Sequence, residues 1–174
     1  MNAEVIALVS ALQNHFGFLN EIINEPPDAT AWIFGSPAHP DIRGLVHFYQ
    51  LYGGVLIFAE VTGLPHQPGS CESQVFGFHI HEGATCTGSR EKPFSDTGPH
   101  YNPKECPHPH HAGDLPPLFG NNGLAFLSVL TNRFTVEEII GRTIIVHISP
   151  DDFTTQPSGN SGEPIACGQI GRLS

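Results

Sequence analysis

The sequence predicts an all-β fold, a sandwich or barrel with two long functional loops and an N-terminal helical extension. Three observations carry this. Short apolar runs rich in Val, Ile and Phe recur between residues 31 and 171. The 19 glycines and 16 prolines fall largely between those runs, where they mark turns and loops. Helical spacing is confined to the N-terminus and one short turn. At 174 residues the chain fits one domain with a core of useful size.

Taken in order, Val5, Leu8, Val9, Leu12, Phe16 and Leu19 recur at helical spacing, which predicts an amphipathic helix over residues 3–24, in one piece or in two meeting near Gly17. The paired prolines of "NEPPDA" end it, so residues 1–29 form the extension and 30–174 the β domain. Strands follow at "AWIF" (Ala31–Phe34), "GLVHFYQ" (Gly44–Gln50), "GVLIFAEV" (Gly54–Val61) and "QVFGFHIHE" (Gln74–Glu82). The stretch from Gly83 to Asn122 is too long for an ordinary connection and reads as a functional loop. "GLAFLSVLT" (Gly123–Thr131), "GRTIIVHIS" (Gly141–Ser149) and "ACGQIG" (Ala166–Gly171) return to strand character. "TVEEII" predicts a helical turn with Thr135 as cap and Glu138 three residues on. A second irregular stretch runs from Pro150 to Pro164.

Charge and composition narrow the function. A formal net charge of −10 argues against nucleic acid or an anionic membrane as partner. No stretch reaches membrane-span length, and the N-terminus carries Glu4 without a cationic start, so a cytoplasmic protein is the expectation. The 11 histidines outnumber the 7 lysines and arginines, and His100, His108, His110 and His111 crowd one segment. Such a tract suggests metal. In "GFHIHEGATC" strand alternation puts His79 and His81 on one face and Phe78 and Ile80 on the other, so two imidazoles point away from the core together.

Five segments in order, "GFHIHE", "GPHYNP", "HAGDLP", "GRTIIVH" and "GNSG…ACGQIG", make the chain from about residue 38 to 171 resemble the copper/zinc superoxide dismutase family. The resemblance implies a Greek-key, immunoglobulin-like β-barrel that binds copper and zinc. It implies that His79, His81, His100 and His147 hold copper, and that His100, His108, His111 and Asp114 hold zinc, His100 bridging the two. For the second zinc histidine the family spacing favours His108, with His110 as the competitor, because the loop between His108 and His111 is shorter than usual. Asp151 resembles the aspartate that hydrogen-bonds one histidine of each metal. Cys86 and Cys167 resemble the family disulfide. Cys71 and Cys106 lie outside that pattern and are either a second disulfide or two free thiols.

The residue chemistry agrees with these roles. Imidazole suits both metals, three histidines with an aspartate suit tetrahedral zinc, and four histidines suit copper. The implied activity is dismutation of superoxide to dioxygen and hydrogen peroxide, with copper cycling between Cu(II) and Cu(I) and His100 as the catalytic proton carrier. A metal-binding module without useful catalysis is the alternative. Superoxide is the implied small-molecule substrate, and relatives are often homodimers. One departure from the family stands out. Pro164 occupies the place of the arginine that guides the anion, Glu163 precedes it, and the Pro150–Pro164 loop has no lysine or arginine. Arg90, Lys92 and Lys104 are the candidates to compensate.

Overall fold

The computed structural model describes residues 24–67 and 74–173 together with Ile22 and Gly69. Of the predicted N-terminal helix only Ile22 and Asn24 are among them, both helical, and the rest lies outside the described residues. The described chain forms nine strands: β1 (Ala29–Gly35), β2 (Arg43–Leu51), β3 (Gly54–Thr62), β4 (Val75–Phe76), β5 (Phe78–His81), β6 (Leu118–Asn121), β7 (Leu124–Thr131), β8 (Thr143–His147) and β9 (Pro164–Gly171). A single helical turn, α1 (Val136–Ile139), joins β7 to β8, and Thr135 N–H and hydroxyl both donate to the Glu138 carboxylate at its start.

All pairings are antiparallel, in the order β4-β6-β7-β3-β2-β1-β9-β8-β5. β4 and β5 are one run broken at Gly77, pairing β6 at one end of the sheet and β8 at the other, so the chain itself nearly closes a barrel. The crossings after β3 and after β7 make the connectivity Greek-key, as expected. β6 was not foreseen. Its apolar content is only "LF" between a proline pair and "GNN", and the hairpin to β7 supplies the pairing that the residues do not announce. Asn122 and Gly123 turn that hairpin with φ of 51° and 84°, the left-handed geometry that such pairs favour.

The core follows strand alternation. Ala29, Ala31 and Ile33 of β1 point inward against Val46, Phe48, Ile57, Phe76, Phe78, Ile80, Ile144 and Val146. Each fully buried Phe or Ile contributes about 1.5–3 kcal/mol relative to exposure. On β5 both faces are buried: Phe78 and Ile80 enter the barrel, while His79 and His81 face outward beneath the two long loops. A disulfide between Cys86 and Cys167 ties the first loop to β9, and Phe94 and Ile145 pack around it.

Candidate metal centre

The outward face of β5 is built into a site by its own backbone. Ile80 N–H donates to Gly113 C=O at 2.9 Å, and Ile80 C=O accepts Tyr101 N–H at 2.8 Å. Two separate segments of the long loop therefore flank β5 like short extra strands, bridging His79 to Asp114 and His81 to His100. Gly113 permits this approach, since a Cβ there would lie 2.2 Å from Ile80 C=O. His147 ends β8 at an irregularity in the β8–β9 register, its N–H donating to Gly77 C=O.

Two tetrads result. His79, His81, His100 and His147 form one, and His100, His108, His111 and Asp114 the other. All are buried, and within each tetrad the potential ligand atoms lie within 4.8 Å of one another. His100 belongs to both. His110, the competitor of His108, is exposed and belongs to neither. The Nε2 atoms of His81 and His147 approach to 3.3 Å, and the rings of His79 and His100 are 4.0 Å apart.

Outer nitrogens are held by named partners. His81 Nδ1 meets Gly98 C=O at 2.8 Å and His147 Nδ1 meets Gly162 C=O at 3.1 Å. Asp151 joins the tetrads, its carboxylate accepting from His79 Nε2 at 2.8 Å and from His108 Nε2 at 2.9 Å. Asp114 accepts from His100 Nδ1 at 2.8 Å. By contrast His79 Nδ1, His100 Nε2, His108 Nδ1 and His111 Nδ1 are buried without a hydrogen-bond partner. A buried unpaired polar atom costs about 1–3 kcal/mol, so four in one place call for a ligand. The two donor sets fit the implied ions: four imidazoles for copper, and three imidazoles with one carboxylate for closed tetrahedral zinc.

Electrostatics keep the donors ready. Burial holds His81 well below its ordinary 6.5, with the neighbouring His147 and His100 acting in the same direction. Burial, and then His79, bring His147 down to about 3. Burial lowers His79 as well, despite the opposing bond to Asp151, and it lowers His111. Burial by itself would raise both aspartates. At Asp114 the bond from His100 together with the charges of His100, His108 and His111 outweighs it, and the bonds from His79, Phe153 N–H and His108 bring Asp151 to about 2. Neutral imidazoles and ionised carboxylates are the forms that bind metal.

A cavity of about 390 Å³ opens over the His81, His100 and His147 side, rimmed by Glu82, Pro99, Asn102, Pro157 and Ser158. No lysine or arginine lines it among the described residues. Arg90 and Lys92 are exposed on the disulfide-bearing loop, while Lys104 lines a different groove with Gln50, Arg133 and Glu138. Cys106 is a free thiol whose Sγ turns toward Lys104 C=O at 3.8 Å. Cys71 is outside the described residues. Sequence reasoning missed two supports of the zinc-type tetrad. Gln156 bonds the His108 backbone through both its amide atoms, and Arg133 reaches the carbonyls of Pro109, His111 and Asp114. Neither sits in a motif. Side chains that grip backbone leave no characteristic spacing.

Comparison with known proteins agrees with this geometry. The family model described as copper/zinc superoxide dismutase matches residues 42–170. The chain is 32% identical over 154 residues to a Cu-Zn superoxide dismutase of Legionella pneumophila, covering 82% of this chain and 86% of that protein. It is 32% identical over 149 residues to Cu-Zn superoxide dismutase 3 of Arabidopsis thaliana, covering 75% and 84%. With the extracellular Cu-Zn superoxide dismutase of Mus musculus it shares 30% identity over 164 residues, covering 88% of this chain and spanning only 61% of that relative. A match over most of the β domain, two tetrads sharing one histidine and the Cys86–Cys167 bond lead to one conclusion: the chain belongs to the copper/zinc superoxide dismutase family.

Proposed function

We propose that the protein is a superoxide dismutase, with copper held by His79, His81, His100 and His147 and zinc by His100, His108, His111 and Asp114. The observation that carries this is His100, a buried histidine shared by both tetrads, with Nδ1 bonded to Asp114 and Nε2 unpartnered. Copper supplies the one-electron acceptor and donor, so that two superoxide ions and two protons yield one dioxygen and one hydrogen peroxide. The chain supplies position and protons. Nε2 of His100 is the atom that takes up a proton and passes it to the departing peroxide. In the metal-free chain Asp114 holds the ring through its other nitrogen, and Asp151 keeps His79 and His108 in fixed orientation across the two halves. The cavity admits a small diatomic substrate to His81, His100 and His147, with His111 of the zinc-type tetrad also on its wall.

The test is superoxide consumption by the disulfide-intact protein after loading with copper and zinc, with bound metal quantified. Activity that depends on copper, and that His100→Ala abolishes together with the spectral coupling of the two metals, is the expected result. Stoichiometric uptake of both metals without activity would favour the metal-binding module.

A further inference from the structure

We infer that Arg133 and Gln156 are positioning residues that assemble the zinc-type tetrad from outside its own loop. This rests on the reading of His100, His108, His111 and Asp114 as the zinc ligands.

Only two residues separate His108 from His111, and three of the tetrad's four ligands come from the 108–114 run. Such a short irregular segment has little capacity to satisfy its own backbone. Its local backbone bonds are His110 N–H to Pro107 C=O, Asp114 N–H to His111 C=O and His111 N–H to the Asp114 carboxylate. Unpaired backbone groups in a buried loop must find partners elsewhere. Two side chains from different walls provide them.

Gln156 acts like a short strand. Its Oε1 accepts His108 N–H at 3.0 Å and its Nε2 donates to His108 C=O at 2.6 Å, so one amide satisfies both backbone groups of one ligand. The turn that carries Gln156 is itself braced: Asp152 accepts from the N–H groups of Thr154 and Thr155, and Gly159 N–H donates to Thr155 C=O. Asp151, in the same loop, holds the His108 ring. His108 is thus gripped at ring and backbone by one element.

Arg133 comes from the barrel. It follows β7 directly, with its N–H on the Thr131 hydroxyl and Phe134 buried behind it. Its Nη1 lies 2.9 Å from Asp114 C=O and 3.2 Å from the carbonyls of Pro109 and His111. One guanidinium nitrogen therefore gathers three peptide planes that span the other two loop ligands. With both clamps set, His108 Nδ1 and His111 Nδ1 lie 3.1 and 3.3 Å from the Asp114 carboxylate before any ion is present. Fixing donors in advance lowers the ordering cost of binding.

The test uses the full-length, disulfide-intact, metal-free protein. Zinc affinity is measured by competition with a chromophoric chelator, and Co(II) placed in the zinc half reports ligand geometry by its absorption. Arg133→Met and Gln156→Leu should each weaken zinc by about 10–100-fold and shift the Co(II) bands, with copper affinity unchanged. Arg133→Lys should recover part of the loss, because an ammonium also offers several donors to carbonyls. Zinc affinity and Co(II) bands that match wild type in both Arg133→Met and Gln156→Leu would overturn the inference. So would copper and zinc weakening in parallel, which marks a general loss of structure. Should Arg133→Met fail to fold, Gln156→Leu, on the exposed loop, decides by the same readings. Wild-type protein that takes up no zinc would instead sink the metal reading on which this inference rests.

Discussion

Gly159 is where the site leaves no room for a side chain. A Cβ there would lie 2.0 Å from an Asp151 carboxylate oxygen and 2.6 Å from His108 Nε2, at a φ of +67° that side chains resist. Gly159→Ala must therefore displace the carboxylate that joins the two tetrads, on top of about 1–3 kcal/mol of backbone strain. Weakened binding of both metals and a lower denaturation midpoint are expected, and an alanine variant with wild-type affinities would refute this account. Protons act on the same residues. His147, at about 3, lies below the 6.5 of an unfolded histidine, so the unfolded chain binds protons first as pH falls. Stability of the metal-free protein is thus complete above about pH 6.5 and drops towards pH 3, by up to about 1.4 kcal/mol per pH unit for each such histidine. Asp151, at about 2 against 3.8, adds a further loss at the acid end. Urea midpoints at pH 7.5, 5.5 and 4.5 measure this, and a midpoint constant from 7.5 to 4.5 would contradict it.

The disulfide loop shows how an element away from the metals orients a ligand. Cys86 and Cys167 are 81 residues apart in sequence, and closing such a loop is worth about 4–5 kcal/mol in the chain-entropy account. The same loop brings Gly98 C=O to His81 Nδ1, held by Gly83 N–H on Thr97 C=O and Glu82 N–H on Pro99 C=O. Replacing both cysteines by alanine should lower stability by about 3–5 kcal/mol and alter the copper spectrum through His81 while leaving zinc affinity nearly intact. A stability loss with an unchanged copper spectrum would show that Gly98 keeps its place without the bond. What could be read from the sequence follows the same division of labour. Strand parity placed His79 and His81 together because a period of two is written in adjacent residues. Gln156 and Arg133 could not be read because their partners are carbonyls and amides, which every residue offers. β6 was hidden for a related reason, as its pairing with β4 and β7 comes from topology rather than from its four residues.

At the scale of the whole molecule the question is how an anion reaches the cavity. The chain carries a net charge of −10, the rim includes Glu82, and Glu163 is exposed just before Pro164, the first residue of β9. Arg90, Lys92 and Lys104 do not line the cavity, and neither do Arg133 and Arg142. Arg133 holds loop carbonyls, while Arg142 stacks on the Tyr101 ring at 3.9 Å and donates to Glu82 C=O. No lysine or arginine on the cavity wall offsets the long-range repulsion of superoxide. For the proposed activity this predicts a rate below the diffusion-limited range of well-steered enzymes. Repulsion between exposed charges is screened as the Debye length shrinks from about 10 Å at 0.1 M salt to about 3 Å at 1 M, so added salt should raise kcat/KM. Pro164→Arg puts a cation at the start of β9 and should raise the rate at low salt. It should also turn the salt dependence from rising to falling, because attraction is then what salt screens. Pulse-radiolysis rates across ionic strength for the two proteins measure both effects. A wild-type rate that is fast at low salt and falls steeply as salt is added would overturn the argument, and would point to Arg90, Lys92 or Lys104 acting on the anion from a distance.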